Sequence, residues 1–327
     1  MLKTNVLENA PIHPEVAEGP SDVRAYWAHA DDNVRLRVAH WPTDEPSKGT
    51  VFLFQGRTEN IEKYGRTVEY LHCAGYTAFA VDWRGQGLSE RLAEDPMMGH
   101  VVRFSDYQKD VAAAVEAAKS LNLPQPWYLI GHSLGACVGL RAIIEGLPVS
   151  ACAFTAPLWD INLPTLQRLG AWPLSGAFQA LGKGATYAPG TRGESYVLTT
   201  DFDDNRLTHD PGMYHYYQNV SESLPDQQIG GPSMSWLFQA LKETRTLSKL
   251  KSPSIPCLTF CGAEDEIVAI PAIKERMAGW PNGKLELMQN ARHDVLYEVP
   301  SVRENVLAQI CELFGSTNKD MPIASTS

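Results

Sequence analysis

The sequence predicts an α/β fold: a mostly parallel central sheet with helices on both faces and a mainly helical insertion before the last two strands. Three observations predict it. Short apolar runs alternate with segments of helical period, the pattern of strand–helix–strand units. The alternation stops at Pro157 and resumes near residue 255 as though uninterrupted. One strand also runs straight into a Gly-x-Ser-x-Gly turn and an apolar helix, Gly131-His132-Ser133-Leu134-Gly135 forming the turn.

Taken in order, a polar, proline-containing arm leads to strands over residues 24–29 and 34–41. In the second strand Val34, Leu36, Val38 and His40 alternate with Arg35, Arg37, Ala39 and Trp41, the period of a pleated backbone. Residues 42–49 read as a loop. Thr50-Val51-Phe52-Leu53-Phe54 is a continuous apolar run, as in a strand covered on both faces. A helix over 61–74, a strand over 76–81 and an alanine-rich helix over 104–121 follow. Trp127-Tyr128-Leu129-Ile130 is the strand before the turn, residues 136–145 the helix after it, and 149–155 a further buried strand.

Residues 158–247 hold short helical stretches, glycines, prolines and many aromatics, without a comparable strand run. A strand over 255–261, a helix over 270–280, a strand over 285–288 and a helix over 301–314 complete the pattern. The tail from Gly315 is expected to be disordered. The organisation is therefore a core of residues 1–157 and 248–327 with an insertion of 158–247.

Composition bounds the function. Of 327 residues, 44% are hydrophobic and 20% charged, enough apolar content for a sizeable core. The net charge of −10 supplies no basic stripe for phosphates, which argues against a general nucleic-acid binder. Cys73, Cys137, Cys152, Cys257, Cys261 and Cys311 are scattered without a Cys-x-x-Cys pair and read as mostly buried free thiols. Residues 1–20 lack the apolar core of a signal peptide, and no apolar run reaches membrane-spanning length; a cytoplasmic location is expected.

The turn carries the chemistry. A strand, a Gly-x-Ser-x-Gly turn and a helix make a nucleophile elbow, in which a strained turn exposes the Ser133 hydroxyl. Gly131 and Gly135 have a steric reason to be there, because a Cβ at either would block the approach of helix to strand. A serine hydroxyl needs a base, and the base needs an acid to fix its tautomer. In an elbow enzyme these follow in the order serine, acid, histidine, from loops after later strands.

The loop after the strand at 255–261 offers Glu264, Asp265 and Glu266, which leaves the acid open among the three. His293 lies just past the last strand, the one histidine of nine so placed. His132 must diverge from its neighbour Ser133 and reads as structural support within the substrate pocket. His209 and His215 lie in the insertion, where surface positions are expected. An oxyanion needs two donors. The backbone N–H of Leu134 is one. The other is assigned to Arg57, because Gly56 in Gln55-Gly56-Arg57-Thr58-Glu59 allows close backbone approach.

These residues resemble the α/β-hydrolase superfamily, and within it the monoacylglycerol lipase and lysophospholipase group, over most of the chain. Val81-Asp82-Trp83-Arg84-Gly85-Gln86-Gly87-Leu88-Ser89 is similar to that group's D-x-R-G-x-G-x-S segment, and Phe104-Ser105-Asp106-Tyr107 to its next helix start. Gly262-Ala263-Glu264-Asp265-Glu266-Ile267-Val268 matches G-x-x-D-x-x-V, which selects Asp265 as the acid. Leu198-Thr199-Thr200-Asp201 and Gly231-Pro232-Ser233-Met234-Ser235-Trp236 resemble its cap segments. Two departures are Gln55-Gly56 for the common His-Gly, and Leu134-Gly135-Ala136 for Met-Gly-Gly; both spare the backbone donors.

The resemblance implies a serine esterase acting without metal or organic cofactor on a small lipid ester with one acyl chain, a monoacylglycerol or a lysophospholipid. It makes the insertion a cap. Leu163, Leu166, Leu169, Trp172, Phe178, Trp236, Leu237 and Phe238 are expected to divide between an acyl-chain tunnel and the cap's own core. Gln55, Gly56, His132, Trp159 and Trp236 are the expected substrate contacts. An exposed apolar cap face would touch lipid aggregates. Two rivals share the fold: an aminopeptidase of the proline-iminopeptidase type, with Glu194, Asp201, Asp203 and Asp204 available for a substrate amine, and a non-catalytic binding module.

Overall fold

Nine strands form one sheet in the computed structural model, which describes residues 7–43 and 46–318, the side chains of 165–168 and 318 excepted. They are β1 (Glu8–Asn9), β2 (Arg24–His29), β3 (Arg35–Trp41), β4 (Thr50–Phe54), β5 (Thr77–Val81), β6 (Trp127–His132), β7 (Ala151–Thr155), β8 (Cys257–Gly262) and β9 (Gly283–Met288). Their spatial order is β1-β2-β3-β5-β4-β6-β7-β8-β9. β1, β2, β3 and β5 pair antiparallel in turn, and every pairing from β5 to β9 is parallel. Strands β4 to β7 are buried at every position, as their apolar runs demand.

The helices are α1 (Pro14–Ala17), α2 (Gly65–Cys73), α3 (Tyr107–Ser120), α4 (Leu134–Ile144), α5 (Thr165–Ala180), α6 (Tyr196–Thr199), α7 (Pro211–Ser223), α8 (Met234–Leu247), α9 (Ile270–Ala278) and α10 (Pro300–Asn318). Two apolar clusters lie in the layers between sheet and helices. One joins Phe52, Phe54 and Trp83 to α3 and α4; the other joins Val51, Leu53 and Tyr128 to α2 and α10. The strand order reverses at β4, so β4 and β6 adjoin in the sheet. The loops leaving their carboxyl ends therefore lie side by side, the usual ligand crevice of an open α/β sheet.

Several expectations shift. The helix at 61–74 opens as a 3₁₀ turn, Glu62–Tyr64, before α2, and the one at 104–121 opens as Phe104–Asp106 before α3. The polar arm contains β1, whose two residues pair with Trp27 and Tyr26. Residues Gly315 to Asn318 continue α10 instead of fraying, with Phe314 buried against Tyr128 at a ring separation of 4.5 Å. Residues 319–327 lie outside the described part. β3 is buried on both faces from Leu36 onward, Arg37 included, because Arg37 has acidic partners inside. Cys137, Cys152, Cys257 and Cys261 are buried free thiols, Cys311 is half-buried and Cys73 is exposed. Among the described residues no helix is long and apolar enough to cross a membrane.

Between β7 and β8 the chain forms α5 to α8 and no named strand. Isolated bridges from Ile161 to Val268 and from Pro232 to Gly99 tie this segment to the loops around the sheet's carboxyl edge.

Candidate active site

Ser133 follows β6 and caps α4 at φ 48°, ψ −112°, a positive-φ conformation that costs a non-glycine residue about 1–3 kcal/mol. The sheet holds it there. Its N–H donates to Thr155 O at 3.0 Å on the next strand, and its carbonyl accepts from Ala136, Cys137 and Leu158. The two glycines are sterically required. A Cβ on Gly135 would stand 1.9 Å from the Phe54 carbonyl oxygen, and one on Gly131 2.9 Å from Ala136 Cα.

Asp265 follows β8, and His293 follows β9. Asp265 Oδ2 accepts from His293 Nδ1 at 2.7 Å, while Oδ1 accepts from the N–H groups of Ile267 at 2.7 Å and Val268 at 3.1 Å. Burial opposes its charge, but His293 and those two donors together hold the carboxyl below its ordinary value. Burial likewise pushes His293 down. The charge and hydrogen bond of Asp265, helped by Asp294 and Glu59, overcome it and raise the imidazole above 6.5. His293 and Ser133 line one cavity of about 360 Å³.

The backbone N–H groups of Arg57 and Leu134 bond to no acceptor among the described residues. Leu134 opens α4, where the first N–H groups have no partner in the helix. Arg57 follows Gly56, whose N–H is bonded to Glu59 Oε2 at 2.5 Å.

Two buried charge clusters set this second loop. Below it, Arg37 donates to Asp82 Oδ2 and, as a two-pronged fork, to both oxygens of Glu62, all at 2.7 Å. Asp82 Oδ1 in turn accepts from Gln55 Nε2 and Ile61 N, each at 3.0 Å. The Asp82–Ser89 segment is thus scaffolding for the Gln55–Asn60 loop. A Cβ on Gly87 would meet the Asp82 carboxylate at 2.1 Å. Beside the loop, Lys63 Nζ bonds to Glu59 and, at 2.5 Å, to Asp294 Oδ2, which also accepts from the Tyr217 hydroxyl at 2.7 Å. Burial opposes the charge on all three, yet mutual attraction raises Lys63, lowers Glu59 and brings Asp294 to about 2.

Glu59, His132 and Asp294 bring ligand-type atoms within 4.8 Å of one another, and the Lys63 ammonium already supplies positive charge to both carboxylates. His132 accepts or donates at Thr155 Oγ1 at 3.0 Å and lies 5.0 Å, ring to ring, from His293. Burial lowers its pKa, so the two rings do not compete for a proton.

Residues 45–300 match the serine aminopeptidase S33 family of hydrolases. The chain belongs to that family. It is 30% identical to lysophospholipase L2 of Escherichia coli K12 over 310 residues, covering 90% of this chain and 88% of the relative. A probable lysophospholipase L2 of Haemophilus influenzae is 26% identical, covering 85% and 88%. Among solved structures, a monoglyceride lipase of Saccharomyces cerevisiae superposes with a TM-score of 0.68 at 18% identity, covering 89% of this chain and 94% of that one. The chain is an α/β-hydrolase of the lysophospholipase and monoacylglycerol-lipase type, an enzyme of carboxylic esters.

In this hydrolase Gly56, His132 and Trp236 line the cavity with Ser133 and His293. Gln55 and Trp159 do not. Gln55 is spent on Asp82, and Trp159 packs between Phe154 and Trp280 at 5.6 and 6.5 Å. Of the residues expected to divide between tunnel and cap core, Trp236 lines the cavity; Leu169 is exposed and Trp172 packs on Phe238, while the side chain of Leu166 lies outside the described residues. The aliphatic lining is Leu158, Ile161, Val197, Leu207, Val220, Leu224, Ile229 and Ile267. Neither His209 nor His215 lines it. Sequence reading missed Glu59, Lys63 and Asp294; the one available signal was a pair of opposite charges at helical spacing, Glu59 and Lys63.

Proposed function

We propose that this hydrolase cleaves single-acyl-chain lipid esters through an acyl-enzyme on Ser133. His293 takes the Ser133 proton as the hydroxyl oxygen attacks the carbonyl carbon, and the N–H groups of Leu134 and Arg57 hold the resulting oxyanion. The ester C–O bond then breaks, and His293 passes its proton to the leaving alcohol. A water, deprotonated by His293, releases the fatty acid and restores Ser133. Asp265 fixes the Nδ1–H tautomer and stabilises the imidazolium.

The observation that carries this reading is the Asp265–His293 pair at 2.7 Å opening on the same cavity as a serine held at positive φ. Residues 158–247 act as a cap: they supply Val197, Leu207, Val220, Leu224 and Ile229 to the cavity wall. α5 and its C-cap residue expose Leu169, Leu174 and Leu181, the face we assign to contact with lipid aggregates.

The family description favours a second reading, an aminopeptidase. The acids it would use do not reach the cavity: Glu194 pairs with Arg192 at 2.8 Å, and Asp201, Asp203 and Asp204 lie off its lining. The carboxylates that do line it, Glu59 and Asp294, are both committed to Lys63. A fluorophosphonate should label the wild type and not Ser133→Ala. p-Nitrophenyl esters of rising chain length should be turned over and an aminoacyl amide should not. Equal labelling of the variant would sink the mechanism, and turnover of the amide alone would establish the aminopeptidase.

A further inference from the structure

Three cationic side chains other than histidine line the catalytic cavity, and they are partnered very differently. Lys63 is clamped between Glu59 and Asp294. Arg206 reaches Glu266 at 3.2 Å. Arg57 has no carboxylate within ion-pair distance among the described residues. Its Nη1 donates to the Gly230 carbonyl at 2.8 Å, and its guanidinium carbon lies 5.7 Å from the centre of the Trp236 ring. Nε and Nη2 have no acceptor among the described residues.

A half-buried cation without a counter-ion is costly unless a ligand supplies the anion. Burial draws the Arg57 pKa down to about 10, which still leaves the group charged at neutral pH. It lies against Gly99, where a Cβ would come within 3.2 Å of Nη1. The planar guanidinium presents paired donors matched to phosphate oxygens.

We infer that Arg57 is an anion subsite that receives the phosphodiester of a lysophospholipid, so that this one residue holds two groups of the same substrate. The inference rests on the proposed function, because Arg57 is also the residue assigned to the oxyanion through its backbone N–H. In a 1-acyl lysophospholipid about six bonds separate the acyl carbonyl carbon from phosphorus. About five separate the Arg57 Cα from its guanidinium carbon, so the side chain spans the interval between the two groups. A monoacylglycerol has the ester and lacks the phosphate, and would leave the guanidinium unpaired. A substrate ammonium at this place would be repelled, which further separates the chain from an amine-binding peptidase.

The test compares 1-lauroyl lysophosphatidylcholine with 1-lauroylglycerol, both below their critical micelle concentrations. In Arg57→Met the ratio of kcat/KM for the phospholipid to that for the glyceride should fall by about tenfold or more, chiefly through KM. Arg57→Lys should recover part of it. With the wild type, sn-glycerol 3-phosphate should compete against 1-lauroylglycerol at a concentration about tenfold lower than glycerol needs. A ratio in Arg57→Met within about twofold of wild type, or equal competition by the two glycerols, overturns the subsite while Ser133 labelling and ester turnover leave the hydrolase reading standing. No labelling and no ester turnover in the wild type overturns both.

Discussion

The two loops that meet at the cavity are held in place by opposite means. The Ser133 turn is fixed by backbone sterics: a strained φ, hydrogen bonds to β7 and the following helix, and two glycines whose neighbours leave no room for a side chain. The Gln55–Asn60 loop is fixed by side-chain charge. Asp82 and Arg37 hold it from below, and Glu59, Lys63 and Asp294 hold it from the side. A turn built on sterics announces itself in a short local motif, although Phe54 and Thr155 on the neighbouring strands complete its fit. A loop built on ion pairs depends on residues that the fold has to bring together, here Lys63 and Asp294, which are 231 positions apart. The first should hold whatever the pH; the second should hold only while its charges stay balanced.

The largest effect should therefore come from unbalancing that cluster. Lys63→Met leaves Glu59 and Asp294 buried with no cation between them. Removing one member of a buried ion pair costs about 3–5 kcal/mol, read as a fall in the urea midpoint at pH 7. The pH dependence gives the sign. In the wild type Asp294 is drawn from 3.8 to about 2, so its stabilisation is complete above about pH 4 and is lost as pH falls toward 2. In the variant, two neighbouring buried carboxylates favour taking up a proton, so stability declines as pH rises. The gap between the two proteins should widen from pH 2 to pH 7. A gap independent of pH would show that packing, and not charge, holds the loop.

The Ser133 turn should break on a single methyl group. Gly135→Ala puts a Cβ against the Phe54 carbonyl, a backbone atom of β4 that can move only with the strand. A loss of about 3 kcal/mol is expected, with no dependence on pH, measured by the same denaturant titration at pH 5 and pH 8. A loss that varied with pH would mean that the turn, too, leans on titrating groups.

The same contrast decides what was legible in the sequence. The Gly-x-Ser-x-Gly turn, the strands β2 and β4, and the places of Asp265 and His293 after β8 and β9 could be read from local pattern, since each follows from residues adjacent in the chain. The Asp82–Ser89 segment was visible as a motif, and only the structure shows what it does: hold Gln55 and Ile61. Gln55 was expected to face substrate, and Trp159 with it. Both face inward, because nothing in a one-dimensional pattern says that Asp82 stands beneath Gln55 or that Trp280 lies against Trp159. The cavity wall from the helical segment was the least legible part. Apolar residues there serve both packing and lining, and which does which is settled by tertiary contact, as the exposure of Leu169 and the lining role of Ile229 illustrate.

The smallest expected effect joins the two loops. In the proposed mechanism His293 must be neutral to accept the Ser133 proton, so kcat/KM should rise with pH as the imidazole loses its proton. Burial alone would place that rise below 6.5. Asp265 overturns it, and Asp294 and Glu59 add to Asp265 from the charged loop. The acid limb should therefore lie above pH 6.5 in the wild type. Asp265→Asn should move it down the furthest. Glu59→Gln should move it in the same direction by less, since Glu59 is a weaker and more distant influence on His293 than Asp265. His132 cannot be the source of the limb, because burial lowers its pKa and Lys63 and His293 both disfavour its charge. A limb that stays fixed in Glu59→Gln would show that the charged loop positions the Arg57 N–H proposed for the oxyanion and nothing more; a limb that moves shows that its charge also reaches the base.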